Sequence, residues 1–502
     1  MYIDHVISFN NIEVDIDKIE KRRITGYIRL DDFSYKLIFT YAEDIDADRN
    51  IAGLILTMPA INYTYFSRKF TLNFPVTERD IKLVKDFMLI NAHEVFINKI
   101  INRRYDYIKP EFIPSESDIN RENADGITEL VCPEIVEEGK SWDVHKDKVA
   151  IMSSGGKESL LAFGVFNEIN KPENNYAFYF EESGSHWLTA KTAYDYYRNN
   201  YNNVMKVWSN TDRFYHEALK HLKIIKQEMI DIRSDDYPIQ VFIFPLYIFL
   251  LLPLIKKYGI GNIIMGDEFD DPRGMEDYKG LKYYYGIFDQ TYDFNHMLSI
   301  YFRDKGINSS VYSIVYPITG YVEEKILMNR YRSLFLQQRS CHSCHEKNDV
   351  IYPCGKCSKC LGILLFIESA GGHPQDIMYS DADVRLLGRR LLKSRIRLDP
   401  DEREYAESKL GFTGSGNPEI NHAAGMHIMP YEDYLLSAVP ENFRAPIRRI
   451  LSDVDRNIAG LILTMPAINY TYFSRKFTLN FPLTERDIKF YCIVQGKINV
   501  HR

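Results

Sequence analysis

Val149-Ala-Ile-Met-Ser-Ser-Gly-Gly-Lys-Glu-Ser-Leu-Leu-Ala-Phe-Gly-Val-Phe166 is the stretch from which the rest of the 502-residue chain is read. Residues 149–152 form an unbroken apolar run, as in a strand covered on both faces of a parallel sheet. From Ser159 an apolar repeat at helical spacing continues to Ile169. Between them lies Ser153-Ser-Gly-Gly-Lys-Glu-Ser159. Glycine lets the backbone turn sharply and approach a ligand without a Cβ in the way. The helix that follows offers unpaired N–H groups and the positive end of its dipole. Strand, Ser/Gly turn and helix N-terminus together predict an anion cradle, most often for phosphate. The plainer alternative is an ordinary βα turn, so the surrounding chain has to decide.

Downstream the alternation continues. Strands are predicted at 177–180, 204–207 and 262–265, separated by helices from Leu188 and up to Tyr258. Such a pattern implies an α/β fold with a doubly wound parallel sheet, whose ligands sit beyond the carboxyl ends of the strands. Each predicted strand ends in polar residues: Ser153-Ser154-Gly155, Glu181-Glu182-Ser-Gly-Ser-His186-Trp187, Ser209-Asn210 and Gly266-Asp267-Glu268. Acids directly after a strand, Asp267 and Glu268, are candidates to hold magnesium through oxygen ligands, against the plain reading of a solvated turn. Glu182 and His186 are candidates for proton transfer, although a lone histidine is more often structural.

Five of the seven cysteines fall within 341–360, as Cys341-His-Ser-Cys344 and Cys354-Gly-Lys-Cys357-Ser-Lys-Cys360. Cys-x-x-Cys pairs suit tetrahedral zinc, because each tight turn points two thiolates inward. Cys344, Cys354, Cys357 and Cys360 form the more compact set, with Cys341, His342 or His345 as substitutes. A site filled by four protein ligands is structural rather than catalytic.

Toward the N-terminus, residues 1–110 alternate apolar and polar positions at 24–30 and 33–41, predicting a β-rich domain. Thr77-Glu-Arg-Asp80 then opens an amphipathic helix to about Ile101. Residues 111–147 are polar and read as a connector. Further on, 148–338 is the expected nucleotide-binding α/β domain, 339–375 the zinc module with a packing helix, and 376–452 a helical and loop region. In that last region, 384–397 reads as a basic amphipathic helix with a solvated face, and 411–425 as a loop that closes over a site. Residues 453–489 repeat 46–82 at 35 of 37 positions, differing only at Ala47/Val454 and Val76/Leu483. Near-identity of one short block is not the drifting pattern of a structural array.

Composition fits a globular protein, 45% hydrophobic and 26% charged, with a net charge of −7. That charge gives no general pull toward nucleic acid or anionic lipid. The charge-free run 239–255 is short for a bilayer crossing and is broken by Pro245 and Pro253, so a buried helix is expected. No secretory signal is visible at Met-Tyr-Ile-Asp-His, and a cytoplasmic location is expected.

Ser154-Gly-Gly-Lys-Glu-Ser159 resembles the SGGxDS loop of the PP-loop ATP pyrophosphatases, which split ATP between its α and β phosphates. It is not a Walker A loop, which needs Gly-x4-Gly-Lys-Ser/Thr. Glu158 stands where that family usually has Asp, keeping the carboxylate on a stem one methylene longer. With Cys-Gly-Lys-Cys-Ser-Lys-Cys360 added, residues 148–362 resemble 7-cyano-7-deazaguanine synthase. More of the chain, about 25–375, is similar to the ATP-dependent UDP-N-acetylmuramoyl-L-alanyl-L-glutamate epimerases. That likeness rests on Asn62-Tyr-Thr-Tyr-Phe66, Gly155-Gly-Lys-Glu-Ser159-Leu-Leu, Glu182-Ser-Gly-Ser-His186-Trp187 and the cysteine cluster.

These resemblances imply ATP, Mg2+ and zinc as cofactors and a small-molecule carboxylate as substrate. They place Ser154, Gly155, Gly156, Ser159, Gly266 and Asp267 on the nucleotide, and Lys157, Glu158, Glu182 and His186 in the chemistry. Some PP-loop proteins modify transfer RNA instead; the negative charge and the lack of basic–aromatic interleaving weigh against that class.

Overall fold

The computed structural model describes residues 1–102, 107–182, 184–230, 239, 242–268, 275–394, 396, 398, 400–412 and 435–453. The repeated block from 454 onward and the glycine-rich loop from 413 therefore lie outside the described residues.

Ten strands form one sheet. In chain order they are β1 (Phe9–Glu20), β2 (Arg23–Leu30), β3 (Phe33–Tyr41), β4 (Ser67–Asn73), β5 (Glu129–Val131), β6 (His145–Ser153), β7 (Asn175–Glu181), β8 (Val204–Ser209), β9 (Ile260–Met265) and, after a small hairpin of β10 (Glu276–Tyr278) and β11 (Leu281–Tyr283), β12 (Ser310–Ser313). Their order across the sheet is β12-β9-β6-β7-β8-β3-β2-β1-β4-β5. The five strands from β12 to β8 are mutually parallel. Chain order runs outward from β6 through β7 to β8, then returns to the other side of β6 with β9 and β12. The reversal falls between the carboxyl ends of β6 and β9, the position at which open α/β sheets form the crevice that takes their ligands.

Residues along these strands face two cores alternately. Val149 and Ile151 enter one with the helices Lys157–Ile169 and Ser358–Ser369, while Ala150 and Ile263 enter the other with the helix Phe244–Tyr258. Both faces are thus covered, as the unbroken apolar run at 149–152 predicts.

The N-terminal strands do not stand apart. β1, β2 and β3 form an antiparallel meander, and β3 pairs antiparallel with β8 through Phe39–Tyr41. β4 and β5 extend the far side in parallel with β1. The cause is apolar: the nearly all-buried helix Arg49–Ile61 shares a core with Phe244–Tyr258. Tyr41 Oη also donates to Leu250 O at 3.1 Å. The expected connector contributes to the sheet too, through β5 and the start of β6. The predicted helix start is found, and Thr77 and Asp80 cap the helix Glu78–Glu94 reciprocally.

The charge-free run becomes the buried helix Phe244–Tyr258, with Pro245 in its first turn and Gly259 in the left-handed conformation at its end (φ 64°). No helix among the described residues is long and apolar enough to cross a membrane.

Two buried carboxylates set a pH dependence. Asp289 accepts from Ile243 N (2.8 Å) and Phe244 N (3.0 Å), capping that helix, and burial pushes its carboxyl up to about 6. Glu94 accepts from Tyr284 N and Gly286 N, and burial pushes it up to about 7. Raised carboxyls bind protons in the folded chain that the unfolded chain has already released. Their contribution is therefore fully present below the unfolded values and declines as pH rises toward 7. Urea unfolding is expected to show stability falling by on the order of a few kcal/mol between pH 5 and 7.5 from this pair. A rise over that window would contradict it.

Candidate active site and metal centre

The crevice is built by the turn after β6. The helix begins at Lys157, two residues before the predicted start, so Gly156 is its N-cap and carries no side-chain cap. Gly156 has no side chain with which to cap the first-turn N–H groups, and that of Glu158 meets the Glu158 carboxylate. Gly155 sits at φ 77°, and a Cβ there would lie 3.0 Å from Thr189 O. At Gly156 a Cβ would meet Glu158 Oε2 at 2.8 Å and Ser154 Oγ at 3.3 Å. Ser154 is exposed, and its hydroxyl accepts from Gly156 N at 3.3 Å. Ser159 is used inside the turn: its hydroxyl donates to Gly156 O (3.2 Å) and accepts from Ser154 N (3.3 Å). It shapes the loop and does not face outward.

Lys157 is buried, 4% exposed, with its ammonium among three carboxylates. It pairs with Glu158 and Glu268, and Glu323 Oε2 lies 3.3 Å away. The three acids come from three separate segments: the helix after β6, the end of β9, and the helix Gly320–Arg330 after β12. One oxygen from each lies within 4.8 Å of the others, a spacing that could hold a metal ion. Glu323 is fully buried, and apart from the Lys157 ammonium its carboxylate oxygens have no hydrogen-bond partner among the described residues. Burial pushes Glu268 and Glu323 well above the usual carboxylate range despite Lys157. Burial also opposes ionisation of Glu158, but Lys157 beside it holds its carboxyl down at about 2. Glu324, next in the helix, accepts from Gln338 Nε2 at 2.9 Å.

The predicted residues therefore divide. Ser154, Gly155, Gly156, Lys157 and Glu158 gather at the crevice. Gly266 belongs to it by packing, since a Cβ there would lie 3.1 Å from Glu158 Cβ. Asp267 does not join the acidic cluster. Its carboxylate turns inward to Asn295 Nδ2 (2.7 Å) and Tyr316 Oη (2.9 Å), and burial raises it to about 7. Alternation along the chain explains this: Asp267 and Glu268 are neighbours and point opposite ways, so Glu268 takes the place expected of Asp267. Glu182 follows β7, buried, and accepts from Tyr247 Oη at 2.6 Å. His186 lies in the helix Gly184–Asn200, and its side chain is outside the described residues. Glu323 was not anticipated: an acid in the first turn of a helix reads locally as dipole compensation.

The cysteines form a second centre. The thiols brought together are those of Cys341, Cys354, Cys357 and Cys360, within 4.8 Å of one another. This corrects the expected set: Cys341 belongs to it and Cys344 does not. The hairpin of β13 (His345–Lys347) and β14 (Val350–Tyr352) folds the chain back, so that Cys354 N donates to Cys341 Sγ at 3.3 Å. Cys344 Sγ lies instead 3.6 Å from Thr189 Oγ1.

Sulfur separations of 3.8 Å (Cys354–Cys360) and 4.0 Å (Cys357–Cys341) are too long for disulfides. They match the edge of a tetrahedron with metal–sulfur bonds of about 2.3 Å, so the donor set fits zinc. Backbone N–H groups of Ser343, Cys357 and Cys360 donate to the sulfurs at 3.2–3.4 Å, which favours thiolates. The basic helix is not wholly solvated: Arg390 donates to Gly355 O (2.5 Å) and Asp383 (2.9 Å), bracing the knuckle.

Compared with known proteins, the chain matches no family model, no curated protein and no solved structure. The site's chemistry has to be argued from its own geometry.

Proposed function

We propose that the protein is a PP-loop enzyme that adenylates a substrate carboxylate with ATP, releasing pyrophosphate and then AMP. The observation that carries this reading is the meeting, in the crevice between β6 and β9, of an uncapped glycine-turn helix with a buried lysine and three carboxylates. Buried charge gathered beside a glycine turn at a sheet edge is the pattern of a functional site.

Charge balance supports a divalent cation. Burial holds Glu268 and Glu323 toward the protonated form beside Lys157, so one Mg2+ taking the place of their two protons would leave the charge of the cluster unchanged. Glu158, Glu268 and Glu323 would hold it once the Lys157 ammonium, which sits among them, swings aside toward the phosphates, leaving the other positions of the cation for water and phosphate oxygens. Bound there, it would offset charge on the phosphates as the α–β bridge breaks.

In this reading the first-turn N–H groups and the Ser154 hydroxyl take the β and γ phosphates. The substrate carboxylate oxygen attacks the α phosphorus, and the bond from that phosphorus to the bridging oxygen of the β phosphate breaks. Lys157, displaced from the acids by the cation, places its positive charge beside the departing pyrophosphate.

Within this class we favour the epimerase-like activity on UDP-N-acetylmuramoyl-L-alanyl-L-glutamate. Adenylation turns the α-carboxylate into a strong electron sink, so the neighbouring C–H becomes acidic enough for a side-chain base. A base on one face removes that proton, an acid on the other returns one, and water then releases AMP and the inverted acid. Glu182, backed by the Tyr247 hydroxyl, and His186 are the proposed partners in that exchange.

The test is AMP release from ATP and magnesium across a panel of carboxylic acids that includes this nucleotide and carboxy-deazaguanine. AMP stoichiometric with one of the acids, and lost in Gly156→Ala, is the expected result. Silence across the panel would remove both substrate assignments, and ADP in place of AMP would remove the reaction class.

A further inference from the structure

Residues 338–341 connect the four-cysteine centre to the glycine turn. Gln338, fully buried, donates from Nε2 to Glu324 Oε2 (2.9 Å) and to Ser340 Oγ (3.3 Å). Arg339 N donates to Gly155 O at 3.1 Å. The Arg339 guanidinium is buried on backbone carbonyls, with Nε donating to Ile351 O (2.8 Å) in the hairpin strand β14. Ser340 Oγ lies 3.7 Å from where a Cβ on Gly156 would be. Cys341 is then the first thiol of the metal centre.

A second contact closes the loop of interactions. Thr189 Oγ1 donates to Cys341 O at 2.9 Å, and Thr189 O is the atom that a Cβ on Gly155 would meet at 3.0 Å. Thr189 is thus held against the positive-φ glycine on one side and the first metal ligand on the other.

We infer that the metal centre anchors a strut, Gln338–Cys341, that sets the glycine turn, and that the Ser340 hydroxyl belongs to the turn's anion cradle. The physical reason is local. A residue at φ 77° beside an uncapped helix has little to hold it within its own segment. Its carbonyl is held by Arg339 N, and Arg339 is two residues from Cys341. A metal held by the four thiolates would tie Cys341 to Cys354, Cys357 and Cys360, and through it fix the registry of Arg339 and Ser340 against the turn. Gln338, Arg339 and Thr189 are positioning residues; only Ser340 faces the ligand. The assignment of Ser340 to the cradle rests on the nucleotide-binding reading, whereas the strut does not.

Amide hydrogen exchange of the full chain without nucleotide tests the strut. On removing zinc with a chelator, amides of 154–159 are expected to exchange about tenfold faster, with β1–β3 unchanged. Unaltered exchange in the turn, while 341–360 lose protection, would overturn the strut. Because the metal-free chain could unfold as a whole, Thr189→Val gives a second arm. It removes the hydroxyl contact but no cysteine, so zinc content by elemental analysis should stay at one per chain while the turn exchanges faster. A turn unaffected by Thr189→Val at full zinc content would also count against the strut.

For Ser340, Mg-ATP affinity is the readout. Ser340→Ala is expected to weaken it about tenfold with unchanged melting temperature, and Ser340→Thr to restore it. Equal affinity in all three, or no Mg-ATP binding by the unaltered protein, removes Ser340 from the cradle. The second outcome also ends the nucleotide reading, while the exchange result still decides the strut.

Discussion

Lys157→Met is expected to destabilise the fold by about 3–5 kcal/mol, the scale for stranding buried charges whose partner has been removed. The methionine keeps most of the volume, so packing is not what changes. What disappears is the ammonium between Glu158, Glu268 and Glu323, acids that come from three separate segments of the chain. Glu323 has no solvent exposure and no hydrogen-bond donor among the described residues to take the place of Lys157. Adding Glu323→Gln to the variant removes one of the stranded acids, and should return about 1–3 kcal/mol of that loss. Urea unfolding of the single and double variants measures both numbers. A Lys157→Met protein within about 1 kcal/mol of the original would mean that the cluster is wet, outside the range for a buried pair.

The second large effect concerns the cysteines. Cys341→Ser is expected to lose bound zinc and, with it, a share of a metal-binding free energy on the order of 10 kcal/mol. Cys344→Ser should keep zinc at one per chain and melt within a few degrees of the original. The contrast follows from the hairpin that carries Cys341 onto the Cys354–Cys357 knuckle and leaves Cys344 against Thr189. Metal content and thermal unfolding of both variants decide it. Zinc retained in Cys341→Ser and lost in Cys344→Ser would restore the set expected from spacing alone.

Much of this was legible before the structure. An apolar run, a glycine turn and a helical repeat located β6, the turn and the helix, because backbone patterns of that kind are local. The same locality explains the errors. Asp267 and Glu268 are adjacent, and only the direction of the last residues of β9 tells which one faces the crevice. Glu323 enters the site from a helix some 165 residues beyond Lys157, a contact that only the sheet order creates. Cys341 and Cys344 are equally spaced for a knuckle, and the choice between them belongs to the hairpin between the two cysteine pairs. The N-terminal strands alternated correctly, but nothing in alternation says which sheet a strand joins. The pairing of β3 with β8 places both sets of strands in one sheet.

The account stands on a triphosphate lying against the turn at 154–159, and calorimetric titration of Mg-ATP into the unaltered protein and Gly156→Ala tests that most directly. Gly156 has an ordinary φ of −82°, so alanine introduces no backbone strain; its methyl enters the cradle and displaces the end of the Glu158 side chain, whose Oε2 lies 2.8 Å from where the Cβ would be. Saturable 1:1 binding, weakened about tenfold or more by Gly156→Ala (at least 1.4 kcal/mol), is the predicted result. Absence of binding, or equal affinity for the two proteins, would contradict it.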